Sequence, residues 1–199
     1  MRLENSVTEA SCTTTVAIFH HHHRSNRGPK AKRPPMGSVH QKIHRCSDRW
    51  KGVFIGDGDS FTQDFRQYDV PLTVCWESGL TAMQIENGAA DSYLKSWAKE
   101  MAAYGHPIIF APLDEMNGNW NAYSGDPNAF KAVWVRVHGF FAGVLNVQFA
   151  FGIYNGSVPV TADNGLTSYY PGGNFVDLVG VDGFNFGGQT WAQVFSGAL

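Results

Sequence analysis

The fold of this chain is decided by residues 107–120, which run PIIFAPLDEMNGNW. The first seven of these residues are apolar, and a short apolar run that ends in turn-forming residues predicts a buried β-strand. Two carboxylates, two amides, a glycine and an indole follow directly. The strand is therefore expected to present Asp114, Glu115, Asn117 and Trp120 at its carboxyl end.

Similar apolar runs, separated by helical patterns, recur along the rest of the chain. Further strands are predicted over residues 52–56, 70–76, 147–153 and 176–181. One helix is predicted over residues 91–104, before Gly105, and another begins at Asp126-Pro127. The apolar faces of the two helices comprise Leu94, Trp97, Ala98 and Met101 in the first, and Phe130, Val133, Trp134, Val137 and Phe141 in the second. Strands that alternate with helices predict an α/β fold with a parallel sheet.

Two α/β architectures fit this alternation, an open doubly wound sheet and an eight-stranded (β/α) barrel. The Gly56-Asp57-Gly58 turn lacks the third glycine of a dinucleotide-binding loop, so a nucleotide cofactor is not expected. Both architectures place their functional groups at the carboxyl ends of the strands. The search for a site therefore concentrates on the residues that follow each apolar run.

Residues 1–49 differ in composition from residues 50–199. They carry 9 Lys and Arg against 3 Asp and Glu, and their one aromatic residue is Phe19. Such a segment can bury little apolar surface, so it is predicted to be a basic, disordered leader before a single domain over residues 50–199. The four-histidine run at residues 20–23 is not expected to be a functional metal site.

Composition excludes several classes of protein. A formal net charge of −2 does not favour a nucleic-acid-binding protein. No apolar run reaches the roughly 18–20 residues that cross a bilayer, so neither nucleic acid nor membrane is an expected partner. The three cysteines, Cys12, Cys46 and Cys75, are too few and too scattered for a disulfide scaffold or a zinc site. The sequence predicts no metal and no cofactor, and it does not indicate a cellular location.

Acids, amides and aromatic residues follow the other predicted strands too. They are Trp76 and Glu77, Tyr154 and Asn155, and Asp182 and Asn185. Hydroxyl-bonding groups beside aromatic faces suit a carbohydrate. Hydrolysis of a glycosidic bond needs two carboxyl groups, one of which donates a proton. Adjacent residues of a strand point to opposite sides, so only one of Asp114 and Glu115 is expected to face the site.

Three of these stretches together resemble glycoside hydrolase family 26, which contains endo-β-mannanases and related β-glucanases. Residues 107–120 are similar to the strand-four motif of that family, and residues 74–77 are similar to the end of its strand three. Residues 169–185 are similar to its strand-six block. The resemblance implies a (β/α)8 TIM-barrel fold, with about five of the eight strands present in this chain.

The resemblance also implies a retaining, endo-acting hydrolase of β-mannan or a related β-glucan. Glu115 matches the general acid/base of the family, and Trp120 matches an aromatic residue that stacks on the substrate. Further substrate-binding positions are expected at Asp114, Asn117, Trp76, Glu77, Asp182 and Asn185. The implied partner is a polysaccharide or oligosaccharide, and the edges of an incomplete barrel are expected to promote self-association.

The sequence departs from the family pattern at several positions. Asp114 replaces a histidine, Ala111 an arginine and Phe184 a tyrosine. No Asp or Glu follows Asp182, whereas the family nucleophile is a glutamate at the end of strand seven. Activity of these 199 residues is therefore expected to be impaired. The alternatives are an inactive barrel remnant that binds glycan and a basic-tail interaction protein that binds nucleic acid.

Overall fold

The computed structural model describes residues 14–19, 50–184 and 188–197. The strands are β1 (Thr14–Phe19), β2 (Lys51–Ile55), β3 (Leu72–Trp76), β4 (Ile108–Pro112), β5 (Val147–Tyr154) and β6 (Leu178–Phe184). The helices are α1 (Phe61–Phe65), α2 (Ala82–Glu86), α3 (Asp91–Tyr104), α4 (Pro127–Phe140), α5 (Leu166–Tyr169) and α6 (Trp191–Phe195), with a 3₁₀ turn at Ala162–Asn164. The strands and the two long helices predicted in residues 50–199 are thereby confirmed.

The order of the strands distinguishes between the two architectures that the sequence left open. The sheet runs β1-β6-β5-β4-β3-β2, and β2 to β6 are all parallel. Each of these five strands therefore lies beside the strand that precedes or follows it along the chain. A doubly wound sheet reverses this order at a switch point, and the described sheet has no reversal. The arrangement is that of a partial (β/α) barrel.

Strand β1 lies inside the segment predicted as a disordered leader. It pairs antiparallel with β6, in a register that places Val16 opposite Asp182. The sequence predicts no strand there, because residues 1–49 are expected to bury too little apolar surface to fold. Residues 1–13 and 20–49, which include the histidine run, lie outside the described residues. The division of the chain into a leader and a domain stays a prediction.

The helices cover one face of the sheet and form the main apolar core with it. The predicted inner positions of α3 are buried, as are Phe130, Val133, Trp134 and Val137 of α4. The indole N–H of Trp97 donates to the carbonyl of Asp59 at 2.7 Å. This bond ties α3 to the loop that follows β2, and the indole N–H of Trp134 ties α4 to the carbonyl of Phe175, before β6, at 3.0 Å.

The described residues provide evidence on two predictions about partners, one on the membrane and one on a second copy of the chain. No described helix has the length and the apolar content that a membrane span needs. Strand β2 is an edge of the described sheet, and Phe54 on it is 68% exposed. An exposed apolar residue on an edge strand favours association between copies. Self-association stays a prediction.

The start of α4 gives a simple test of the fold. The Asp126 carboxylate accepts hydrogen bonds from the backbone N–H groups of Asn128 and Ala129, both at 3.0 Å. Asp126→Ala removes this cap and is expected to lower the free energy of unfolding by about 1 kcal/mol. Urea denaturation measures the change. Asp163→Ala, at an exposed aspartate with no cap hydrogen bond, is the matched control, and an equal loss there would contradict the capping role.

Candidate active site

The carboxyl ends of β3 to β6 bring four acidic residues to one rim. Trp76 pairs with Pro112 at the ends of β3 and β4, and Tyr154 pairs with Asp182 near the ends of β5 and β6. The four acids are Glu77, Asp114, Glu115 and Asp182. The charge of Glu77 acts on the pKa of each of the other three, so the four groups form one electrostatic cluster. The convergence expected from the sequence is therefore present.

The backbone after β4 leaves the extended conformation in order to present Glu115. Leu113 has φ 56° and Glu115 has φ 52°, in the left-handed region that residues other than glycine seldom occupy. Hydrogen bonds to both neighbouring strands hold this conformation. The N–H of Leu113 donates to the carbonyl of Trp76 at 2.7 Å, and that of Glu115 donates to the carbonyl of Gly152 at 3.2 Å. Strained backbone held in this way is typical of functional sites.

Trp120 folds back over the turn and contacts Glu115 directly. Its indole N–H donates to the Glu115 carboxylate at 3.1 Å, and its ring lies edge-on to Tyr154 with centroids 5.1 Å apart. A Cβ atom at Gly118 would lie 2.3 Å from this indole, so glycine is required there. The ring is still 49% exposed. Trp120 thus combines a hydrogen bond to the acid with a free apolar face.

Burial and mutual repulsion raise the pKa values of the acids at the rim. Burial is the main cause for Glu115, followed by the charge of Asp182, and together they raise its pKa to about 7. The pKa of Asp182 rises to about 6 through burial and the charge of Glu77. A carboxyl group with a pKa near neutrality can both donate and accept a proton at physiological pH.

Asp114 lies beneath the rim and is only 3% exposed. Burial, followed by the charge of Glu77, raises its pKa well above the ordinary value. Its Oδ1 atom is buried and has no hydrogen-bond partner. The backbone carbonyl of Asp114 accepts from Tyr123 at 2.8 Å and from Asn121 at 3.2 Å. The side chain is covered by its surroundings, and its contact with substrate stays a prediction.

Asn117 and Trp76 are buried as well. Asn117 is 2% exposed, and its side-chain amide exchanges two hydrogen bonds of 2.9 Å with the backbone of Tyr154. Trp76 is fully buried and packs edge-on against Tyr93 and Trp97. Neither residue has a free polar group or ring face for a sugar. Both position the strand ends, and their contact with substrate stays a prediction.

The remaining predicted residues divide into two groups. Glu77, Glu115, Trp120 and Asp182 reach the rim, whereas Asn185 lies outside the described residues. Tyr154 belongs to the site through its contact with Trp120, and the sequence analysis did not include it among the site residues. Its position at the end of β5, directly before Asn155, was the available signal.

Two further properties of the rim concern charge and metals. The ion pairs found among the described residues, His106–Asp69 and Arg136–Asp91, involve none of the four acids. Within residues 14–19, 50–184 and 188–197, no group of three or more His, Cys, Asp or Glu side chains is arranged to hold a metal ion. The described chemistry of the rim is that of carboxyl groups and aromatic rings.

Comparison with known proteins adds an independent line of evidence. The sequence profile described as glycosyl hydrolase family 26 matches residues 77–196. Endoglucanase H of Acetivibrio thermocellus is 36% identical over 148 residues, which are 64% of this chain and 16% of that protein. The mannan endo-1,4-beta-mannosidase of Bacillus subtilis is 26% identical over 95 residues, which are 43% of this chain and 25% of that protein. The chain thus spans a quarter or less of the length of these two relatives.

Two solved structures share the fold. The YdhT protein from Bacillus subtilis has a TM-score of 0.53 at 17% identity, over 67% of this chain and 54% of that chain. The Bacillus subtilis mannanase man26 has a TM-score of 0.52 at 17% identity, with the same coverage. This likeness agrees with the partial barrel described above.

The raised pKa values predict how stability depends on pH. A carboxyl group with a higher pKa in the folded than in the unfolded chain binds its proton more tightly when folded. The stability that this group contributes is fully present below its pKa in the unfolded chain. It is lost as the pH rises through its pKa in the folded chain. For Asp182 this window runs from its ordinary 3.8 to about 6, and for Glu115 from 4.5 to about 7. The free energy of unfolding is therefore expected to fall across this range.

Denaturant unfolding at pH 4, 5, 6, 7 and 8 measures this dependence, and Asp182→Asn is expected to flatten it. Asp163→Asn, at an exposed acid remote in sequence from the rim residues, serves as the control and should leave the slope unchanged. A stability that rises between pH 5 and pH 7 would contradict the arrangement described here.

The Trp120 hydrogen bond gives a second test. Its donation to the carboxylate lowers the pKa of Glu115, so Trp120→Phe, which keeps an aromatic ring but removes the donor, is expected to raise that pKa further. Titration of the ¹³C-labelled carboxyl group by NMR measures the shift. Trp191→Phe is the matched control, because Trp191 is also about half exposed, at 40%, and lies on α6. An unchanged Glu115 pKa in Trp120→Phe would refute the hydrogen bond.

Proposed function

The chain belongs to glycosyl hydrolase family 26, and on that premise we propose that it acts within β-mannan or a related β-glucan by a retaining mechanism. The family makes it a glycoside hydrolase. The proposed substrates are those for which its relatives, an endoglucanase and mannan endo-1,4-beta-mannosidases, are named. Because the chain spans only part of these relatives, the substrate and the mechanism are proposals for this chain.

One observation carries the proposal: the placement of Glu115. It lies at the end of β4, its pKa is raised to about 7, and it bonds to the half-exposed Trp120. A carboxylic acid in this state can protonate the oxygen of the departing sugar and later take a proton from the attacking water. Efficient acid catalysis of this kind needs a pKa near the working pH, which the other rim acids help to provide.

Trp120 supplies the surface on which a sugar ring rests. Its exposed face is apolar, and its N–H is already bonded to Glu115. A pyranose ring stacked on that face would lie within reach of the acid. Tyr154, at 5.1 Å from the indole, keeps the ring from rotating away. The two aromatic residues would therefore align a glycosidic oxygen with the Glu115 carboxyl group.

We propose that the second carboxyl group, the nucleophile, comes from a residue outside the described site. A retaining enzyme needs a nucleophile on the opposite side of the anomeric carbon, and the family resemblance assigns that role to a strand-seven glutamate. No Asp or Glu follows Asp182 in these 199 residues. We therefore expect the 199-residue chain to release little reducing sugar from galactomannan or mixed-linkage β-glucan, since loss of a nucleophile costs several orders of magnitude in rate.

An external nucleophile tests the role of Glu115 in this chain. With azide and an unactivated β-1,4-mannopentaose or cellopentaose, azide would form a bond to the anomeric carbon while the bond to the departing sugar's oxygen breaks. Glu115 would give its proton to that oxygen. We expect azide-dependent turnover that produces the inverted glycosyl azide. Glu115→Gln is expected to reduce it by about 10²–10⁴-fold, whereas Glu86→Gln, an exposed glutamate on α2, should not.

Other outcomes of this experiment would change the assignment. Turnover without azide that disappears in Glu115→Gln would make Glu77 or Asp182 the second carboxylate. Azide-dependent turnover that survives in Glu115→Gln would remove Glu115 from the mechanism. Retention on a galactomannan or β-glucan affinity gel without any turnover, and lost in Trp120→Ala, would favour the glycan-binding alternative.

A further inference from the structure

The turn after β2 carries a carboxylate that the proposed reaction does not use. This is Asp57, in the Gly56-Asp57-Gly58 sequence, which lacks the third glycine of a dinucleotide-binding loop. Gly58 has φ 80°, and the N–H of Gly56 donates to the Asp59 carboxylate at 2.7 Å. The turn is therefore closed on itself, and its shape leaves the Asp57 side chain free to reach the neighbouring strand.

Asp57 accepts hydrogen bonds from four different residues. They are the Trp76 indole N–H at 2.9 Å, the Ser78 hydroxyl at 2.9 Å, the Gly79 backbone N–H at 2.9 Å and the Tyr93 hydroxyl at 3.0 Å. Hydrogen bonds to an ionised carboxylate are stronger than neutral ones. Without Asp57, two of these donors would be buried with no hydrogen-bond acceptor, because Trp76 is fully buried and Ser78 is 4% exposed.

Three of the four donors surround Glu77 in the sequence. Trp76 precedes it, and Ser78 and Gly79 follow it. Glu77 itself is exposed, and no described residue donates a hydrogen bond to its carboxylate. Its position is therefore set by the backbone on either side, and that backbone is attached to Asp57.

The fourth donor connects this arrangement to the helical layer. Tyr93 lies on α3, and its ring packs against both Trp76 and Trp97. Burial, followed by the charge of Asp57, raises the pKa of the Tyr93 hydroxyl, so it remains a donor at neutral pH. One carboxylate thus joins the end of β2, the end of β3 and α3.

We propose that Asp57 is a positioning residue, which fixes the turn after β3 on both sides of Glu77 and so places the Glu77 carboxylate beside Glu115 and Asp182. The inference rests on the proposed function only in taking this rim as the active site. Asp57 touches none of the reacting groups of the mechanism. Its effect on the site passes through Glu77.

A double-mutant cycle tests this dependence without measuring turnover. The charge that raises the pKa of Asp182 is that of Glu77, so Glu77→Gln is expected to lower the Asp182 pKa by about one pH unit. Asp57→Asn is expected to lower it as well, because the β3 turn is released and Glu77 moves away. The Asp57→Asn/Glu77→Gln variant should show no more than the larger single effect. Carboxyl ¹³C NMR of the full chain measures the Asp182 pKa in the unmodified protein, in the two single variants and in the double variant.

Asp64→Asn is the matched control, because Asp64 is an exposed aspartate on α1 whose carboxylate does not bond to the β3 turn. If Asp57→Asn does not fold, as judged by circular dichroism, Ser78→Ala replaces it, since it removes one donor to Asp57 and should produce a smaller fall. An Asp182 pKa that stays at about 6 in either folded variant would overturn the proposal, and so would fully additive effects. The azide experiment tests the proposed function, and the Asp182 pKa tests the positioning role of Asp57. Failure of either proposal therefore does not imply failure of the other.

Discussion

The carboxyl groups at the rim repel one another, and this repulsion is the constraint on which the site depends. Glu115, Asp182 and Asp114 all have raised pKa values, and burial is the largest cause for each. Groups that lose hydration and face like charges would separate on a flexible loop. They stay together because each lies in or just after the end of a strand of one parallel sheet, packed on its outer face by α3 and α4. The barrel thus holds protonatable acids close together, as acid catalysis requires.

Hydrogen bonds between the ends of successive strands hold the rim residues in place. The turn after β4 bonds to β3 through the carbonyl of Trp76 and to β5 through that of Gly152. Asn117 bonds to the backbone of Tyr154 with both atoms of its amide. The N–H of Asn155 donates to the carbonyl of Asp182 at 2.8 Å. Asn117 and Trp76, for which the sequence predicts substrate contact, are thus also part of the frame that supports Glu115 and Trp120.

The elements of the fold could be predicted from the sequence because their signals are local. Apolar runs and helical periodicity are complete within about 15 residues, and the chain folds as those patterns indicate. The burial of Asp114 and Asn117 could not be predicted, because the left-handed residues after β4 interrupt the alternation of sides that a strand would give. The donors to Asp57 lie 19 to 36 residues away from it, so its role depends on tertiary contacts. The pairing of β1 with β6 is more distant still in sequence.

The left-handed backbone at Leu113 and Glu115 limits how far this motif can be transplanted. An isolated peptide of residues 107–120 would relax toward ordinary extended geometry, since the left-handed conformation is costly for both side chains. A graft onto another barrel would have to bring acceptors equivalent to the carbonyls of Trp76 and Gly152. It would also need space above Gly118 for the indole. The geometry of the proposed catalytic acid is therefore a property of three adjacent strands, and copying the sequence motif alone would not reproduce it.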